Sequence, residues 1–353
     1  MQRKKIVVAL VSLAAAAALA ACVFFLYRGT APAVPFARTK TGFAMNTAVT
    51  LTAYAQDGAA SDDLNAELLR EISKLENQIS WNISSSETAK INRAAGAEFV
   101  EAPTVAGLLR QTAPVCEASG GLLSPLMLPL SRLWDVTGDS PSSPQPEEIT
   151  AAAALCEADG YTLDGDCVKL LHKGAGLDFG AFGKGAACDR LAACLQASDA
   201  PAAVCSVGGS VLVYGRKPDD TDWRVSIAVP GDSNRSLGEL AFSDTAFLST
   251  SGSYERYFIE DGKRYHHILN PETGYPAETG LASVTVASDT GVLSDALSTA
   301  CFLLGYEKSL PLLKAFSAEA VFVTEDRTVY VTSGLSGRFR LTDKDYVRKE
   351  AAQ

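Results

Sequence analysis

Histidine is scarce in this chain: three residues in 353. Two of them stand side by side, in Tyr265-His266-His267-Ile268-Leu269-Asn270-Pro271. Basic runs are missing beyond the N-terminus, and the formal net charge is −10. That balance excludes nucleic acid as a partner. An acidic chain that holds a phosphorylated ligand needs local help from a metal ion, a helix N-terminus or a few placed cations. The eight cysteines, 22, 116, 156, 167, 188, 194, 205 and 301, contain no CxxC pair and no cysteine-histidine zinc spacing. Most lie in apolar or alanine-rich surroundings, where a free thiol acts as a small hydrophobe. No essential disulfide framework is expected. A GxSxG nucleophile elbow is absent, as are internal repeats. A Walker loop is also excluded. It needs glycine where Asp178 stands and Ser or Thr where Gly185 follows Lys184.

The N-terminus carries an export signal. Arg3, Lys4 and Lys5 precede an uncharged run from Ile6 to Tyr27. Within it, Leu19-Ala20-Ala21-Cys22 has the form of a lipobox, while the run continues past Cys22 and is long enough to span a bilayer. A lipidated signal peptide and an uncleaved anchor are both open over residues 1–28. Either places the rest outside the cytoplasm, at the membrane. If Cys22 is lipidated, seven cysteines remain. Residues 29–38 form a proline-bearing linker, and a single catalytic domain is expected over residues 39–348.

Phe43 to Ala55 alternates like a strand. Residues 61–79 place Leu64, Leu68, Leu69, Ile72, Leu75 and Ile79 at helical spacing, behind an Asp/Ser start. A short helix into Ile91-Asn92-Arg93, another over 104–117, a proline-broken loop over 120–134 and a helix from Ile149 follow. From about residue 160 strands and turns dominate. They include a hairpin at 161–171, strands from 202, 223, 246, 256 and 282, and a C-terminal hairpin with an Asp-Arg turn. Two helices interrupt them, one after the glycine-rich turn at 178–185 and one from Val292 to Gly305. The order does not alternate strand-helix-strand, so the expected fold is α+β: mixed antiparallel sheets with packed helices.

Three segments bear on chemistry. The turn Asp178-Phe179-Gly180-Ala181-Phe182-Gly183-Lys184-Gly185 opens a helix. It suits a phosphate, and equally a tight turn with a solvated lysine. Asp295 and Thr299, spaced i, i+4, share a helix face and offer oxygen ligands to a hard cation such as Mg2+. The plainer role is capping, by Ser294 or Asp295, with Thr299 bonded back to the backbone. Strand alternation puts Tyr265, His267 and Leu269 on one side, His266 and Ile268 on the other. One histidine at most then faces a given pocket, as a general base or as one of an edge-strand pair.

Taken in order, these segments resemble the motif series of the ApbE family, the FAD:protein FMN transferases. The carriers are LDFGAFGKGAACD, VCSVGGSVLVYGRKP, LSTSGSYERYF, RYHHILNPETGYP and LSDALSTACFLLG. FAMNTAVTLTAY, ENQISWNISSSETAKINRAAG and GLLSPLMLPLSRLW match earlier blocks, so the resemblance spans about residues 40 to 345. It implies Mg2+ as cofactor and FAD as substrate. It also implies transfer of FMN to a Thr or Ser hydroxyl of an acceptor flavoprotein in an extracytoplasmic electron-transfer system, with release of AMP. Two other readings stay open: hydrolysis of FAD to FMN and AMP, and a tethered flavin-binding lipoprotein without catalysis. No Ser/Thr-Gly-Ala-Thr acceptor motif occurs in the chain itself.

Carried over by position, Asp295, Thr299 and the carbonyl of Ala181 match the family's magnesium ligands. Asp178 and Lys184 match its nucleotide contacts. Met45, Trp81, Leu122, Leu123, Ser124 and Leu269 match positions lining the flavin or nucleotide pocket. Thr250, Ser251 and Gly252 match its Thr-Ser-Gly turn, and His267 its histidine, the implied catalytic base. The chain departs from the pattern at Asn46, usually glycine, and at Ser124, usually aspartate. Ser210 also departs, at a position that is commonly aspartate or asparagine.

Overall fold

The computed structural model describes residues 35–351. The predicted leader or anchor, and the linker as far as Val34, lie outside the described residues. No helix among the described residues is long and apolar enough to cross a membrane.

The first predicted strand is two. β1 (Phe36–Ala44) and β2 (Thr47–Ala55) pair antiparallel around Met45 and Asn46. Both turn residues have positive φ, 52° and 55°. This two-residue geometry matches strand twist, and Asn tolerates it. Met45 does not favour it, at a cost on the order of 1–2 kcal/mol. α1 (Gly58–Ile79) follows, starting three residues earlier than predicted because the Asp57 carboxylate accepts the Ala60 N–H. Its buried stripe, Leu68, Ile72, Leu75 and Ile79, packs on the sheet. Next come α2 (Glu87–Arg93), β3 (Val100–Glu101) and α3 (Pro103–Ala118).

The predicted loop at 120–134 contains α4 (Leu128–Trp134). Pro129 sits in its first turn, where the missing N–H has no intrahelical partner to lose, so it starts the helix rather than breaking it. α5 (Pro146–Ala153), β4 (Tyr161–Asp164), β5 (Cys167–Leu170) and α6 (Gly183–Gln196) follow. Strands then dominate: β6 (Ala203–Val207), β7 (Ser210–Tyr214), β8 (Trp223–Val229), β9 (Asp232–Phe242) and β10 (Ala246–Gly252). β11 (Tyr257–Glu260) and β12 (Lys263–His266) form a separate hairpin. β13 (Leu281–Ser288), α7 (Gly291–Leu304), α8 (Tyr306–Ala315), β14 (Glu319–Thr324), β15 (Thr328–Val331), β16 (Phe339–Leu341) and β17 (Val347–Glu350) complete the fold.

Nine strands form the central sheet in the order β1-β2-β6-β7-β10-β13-β14-β15-β17. All its pairs are antiparallel except β15 with β17. Alternation gives it two apolar faces. Phe247, Val284, Val286 and Phe322 join the core under α1, α6 and α7. Leu248, Val213, Val321 and Val323 face the small sheet β16-β9-β8, with Trp223, Ile227 and Leu240. The α+β architecture expected from the sequence is therefore a three-layer one: helices, a nine-stranded sheet and a three-stranded sheet. The seven described cysteines are free thiols.

Candidate active site

Two glycines build the site. A Cβ placed on Gly185 would lie 2.0 Å from the Gly291 carbonyl oxygen, and one on Gly291 would lie 2.2 Å from that of Gly185. No side chain fits at either position, so α6 and α7 cross at backbone contact. A second tie reinforces the crossing. The Asp189 carboxylate of α6 accepts the N–H groups of Gly291 (2.5 Å) and Val292 (2.8 Å), at the start of α7. Thr290 caps that helix through the Leu293 N–H. The capping role is thus filled, and neither Ser294 nor Asp295 supplies it.

The crossing brings the three predicted metal ligands together. Asp295 is 2% exposed, and its Oδ2 accepts the Gly185 N–H at 2.8 Å. Thr299 Oγ1 lies 3.4 Å from the Ala181 carbonyl, 3.2 Å from that of Asp295 and 3.1 Å from Ser251 Oγ. Lys184 Nζ stands 3.6 Å from Asp295 Oδ1 and donates to the Gly180 carbonyl at 3.3 Å. Burial raises the Asp295 pKa; the Lys184 ammonium and the Gly185 N–H offset part of that effect. A carboxylate kept dry beside one cation, a hydroxyl and a main-chain carbonyl form an all-oxygen set. That is the chemistry a small hard cation takes.

A seam of hydroxyls supports this cluster. Ser251 Oγ meets Ser298 Oγ at 2.8 Å, and Ser249 Oγ lies 3.0 Å from both Ser210 and Ser294. Ser210, a departure from the family pattern, is thereby absorbed into a serine contact between strands. Ser249 and Ser298 were not among the candidates, and Ser294 was one only as a helix cap. Their signal was alternation along β10 matched by an i, i+4 pair on α7. The same alternation corrects two expectations. Thr250 to Gly252 is strand, not turn. The Thr250 hydroxyl, 2.8 Å from Thr285, points to the opposite face of the sheet from Asp295.

The remaining nucleotide candidates surround the glycine-rich turn. Asp178 Oδ1 accepts the Gly180 N–H at 2.9 Å, and the Asp178 N–H reaches the Pro125 carbonyl. That bond ties the turn to Leu122, Leu123 and Ser124. Leu123 and Ser124 are buried, and Ser124 Oγ accepts the Leu126 N–H. Met45 overhangs the start of α6: its Cε lies 3.4 Å from a Cβ placed on Gly183. Trp81 is half-buried beneath the Arg132 guanidinium, 5.0 Å from its ring centre. A cavity of about 1000 Å³ opens between Gly120-Gly121 and Pro271-Glu272-Thr273. Glu117, Glu157, Asp159 and Glu272 line it, and no lysine or arginine does.

The histidines separate as alternation predicted. His266 is buried; its Nε2 lies 3.0 Å from the Ala277 carbonyl and its Nδ1 accepts the Ile268 N–H. Its ring meets Phe302 edge-on. Burial lowers its pKa. His266→Ala is expected to lower stability by about 1–3 kcal/mol, through the partners left unpaired. Urea unfolding checks this, and an unchanged midpoint would refute it. His267 is exposed, and its Nδ1 lies 3.3 Å from the Arg256 carbonyl. Leu269 is buried with Leu130, Trp134 and Ile149, so its side chain supports the following turn. That turn is tightly held. Asn270 Oδ1 accepts the Glu272 and Thr273 N–H groups, and Trp134 Nε1 donates to the Gly274 carbonyl at 2.7 Å.

Known proteins share both the sequence and the fold of this chain. A sequence model of the ApbE family matches residues 45–322. An FAD:protein FMN transferase of Treponema pallidum is 32% identical over 298 residues, 80% of this chain and 82% of that one. An FAD:protein FMN transferase of Klebsiella pneumoniae is 32% identical over 307 residues, 86% of this chain and 94% of its own. Among solved structures, the ApbE protein of Thermotoga maritima superposes with a TM-score of 0.80 at 27% identity, covering 86% of this chain and 100% of that one. The flavinyl transferase ApbE of Pseudomonas stutzeri gives 0.72 at 30% identity, covering 82% and 92%. By sequence across most of its length, and by fold, this chain belongs to the ApbE family.

Proposed function

We propose that the chain is an Mg2+-dependent FAD:protein FMN transferase. It moves FMN from FAD to a Thr or Ser hydroxyl of an acceptor protein and releases AMP. The convergence of Asp295, Thr299 and the Ala181 carbonyl beside Lys184 carries the reading. These three oxygens would hold Mg2+. When bound, the ion stabilises charge developing on the pyrophosphate and on the AMP leaving group.

The chain's own groups do the rest. Lys184 and the N-terminus of α6 attract the pyrophosphate into an otherwise acidic protein. A carbonyl only accepts, so the Arg256 contact fixes the His267 proton on Nδ1 and leaves Nε2 as the base. In the proposed step the acceptor hydroxyl oxygen bonds to the FMN phosphorus. Its proton passes to His267 Nε2, and the phosphorus–oxygen bond to AMP breaks. Water in place of the hydroxyl yields FMN and AMP as a second outcome. The basic and apolar N-terminal segment supports an extracytoplasmic, membrane-tethered location for this chemistry.

Incubation with FAD, Mg2+ and a candidate acceptor domain tests the proposal. In-gel flavin fluorescence of the acceptor, with free AMP, supports transfer; AMP alone supports hydrolysis. Bound FAD with neither product overturns both. His267→Gln is expected to slow transfer by roughly 10²–10⁴-fold with FAD affinity retained. Desolvation, then the Arg256 and Lys184 cations, lower the His267 pKa, so the base form persists into mild acid. The acidic limb of kcat/KM should fall below the ordinary histidine value of about 6.5. A limb at or above it would contradict the assignment.

A further inference from the structure

We propose that Arg256 is a positioning residue for His267, pinning the β11–β12 hairpin to the Met45–Asn46 turn so that its carbonyl meets the imidazole Nδ1. The inference rests on the transferase reading for its consequence in catalysis, though not for the geometry itself.

Arg256 is engaged at both ends. Its Nη2 donates to the Asn46 carbonyl at 2.9 Å, across 210 residues of sequence. Its carbonyl accepts from the His267 backbone N–H at 3.1 Å and lies 3.3 Å from His267 Nδ1. The hairpin between them is a two-stranded sheet separate from the central one. One of its faces is fastened: Phe258 and Tyr265 stack at 5.2 Å and pack on Trp134. The other face is mixed: His266 is buried against Phe302, while Tyr257 and Ile259 are exposed. An isolated hairpin is marginally stable in water, so the placing of its ends depends on contacts outside it. At its open end, where His267 leaves the strand, Arg256 supplies such a contact.

The anchor point is itself unusual. Asn46 belongs to the left-handed turn, and Met45 in that turn overhangs the helix start that carries Lys184. One guanidinium therefore links the flavin-lining turn to the histidine. It also places a permanent positive charge beside the imidazole. Among the described residues, the charged or titratable groups acting on His267 are Arg256, Lys184 and its neighbour His266. Removing the Arg256 charge should make His267 easier to protonate.

The test compares Arg256→Gln and Arg256→Lys in otherwise intact protein. With three histidines in the chain, the imidazole Cε1–H signals can be assigned by substitution and titrated by NMR without FAD or acceptor. Arg256→Gln should raise the His267 midpoint by about one pH unit, a tenfold change in proton affinity. Arg256→Lys should keep it near the parent value. In turnover, Arg256→Gln should lower kcat about tenfold and move the acidic limb upward with the NMR midpoint. An unmoved His267 midpoint in a folded Arg256→Gln protein overturns the proposal, whatever the turnover. A moved midpoint with turnover indifferent to His267 would leave the positioning intact and refute the base assignment instead.

Discussion

Asp295→Asn is expected to reduce FMN transfer by at least about a thousandfold, the several kcal/mol that a lost metal ligand implies. The same change should make the metal-free protein more stable at neutral pH. Asp295 is dry, and burial raises its pKa. The unfolded chain then releases this proton at lower pH than the folded one does. Stability is fully present below the unfolded value of about 3.9 and declines as pH rises toward the folded value. Asparagine carries no charge to bury, and its carbonyl can still accept the Gly185 N–H. Lys184 is partly exposed and can turn its ammonium to water. Thermal unfolding in chelator, from pH 3 to 8, should show the variant's advantage growing with pH. Retained transfer would remove Asp295 from the metal site; a lower melting temperature at pH 7 would refute the account of its burial.

Gly185→Ala should be the most damaging single methyl group among the site's glycines. The clash is with a carbonyl oxygen of α7, at 2.0 Å, and backbone cannot rotate away as a side chain can. Helices α6 and α7 must separate. The cost is expected at about 3 kcal/mol, at the upper end of overpacking. Separation also pulls the Gly185 N–H from Asp295 and the Asp189 carboxylate from the start of α7, so metal affinity should fall with stability. Gly183→Ala is the control. Its Cβ would meet Ile79 Cδ1 and Met45 Cε, each at 3.4 Å, and Phe179 Cβ at 3.8 Å, all side-chain atoms, so the fold should tolerate it. Differential scanning calorimetry of the two proteins decides the matter; equal melting temperatures would sink the argument from the crossing.

Local patterns were legible where one residue's neighbours in sequence decide its place. The α1 stripe, the 161–170 hairpin and the split of His266 from His267 all follow from periodicity. Errors arose where a residue has two uses. Pro129 reads as a breaker in the sequence and acts as a helix starter in the fold. Met45-Asn46 hides a hairpin turn, because methionine gives no sign of a positive φ. β3, β16 and β17 escape periodicity because they are short, and β9 because residues 233–236 are exposed and apolar alternation begins only at Leu237. The site shows the same division. The resemblance supplied Asp295, Thr299 and Ala181, which the fold brings together. It could not show that Thr250 turns away. Arg256 and the serine seam depend on pairing between distant segments, which no spacing along the chain records.

The seam has one more consequence, in the bookkeeping of hydrogens. A hydroxyl owns a single hydrogen. Ser298 spends its own on the Asp295 carbonyl, which can only accept. Ser251 can then donate to Ser298, while the Thr299 hydrogen has three acceptors in reach, the Ala181 and Asp295 carbonyls and the Ser251 hydroxyl. The order from Ser251 through Ser298 ends on a main-chain oxygen. With the Ser251 hydrogen turned to Ser298, every partner of Thr299 in the seam accepts, which leaves the threonine's lone pairs free for a cation in the proposed site.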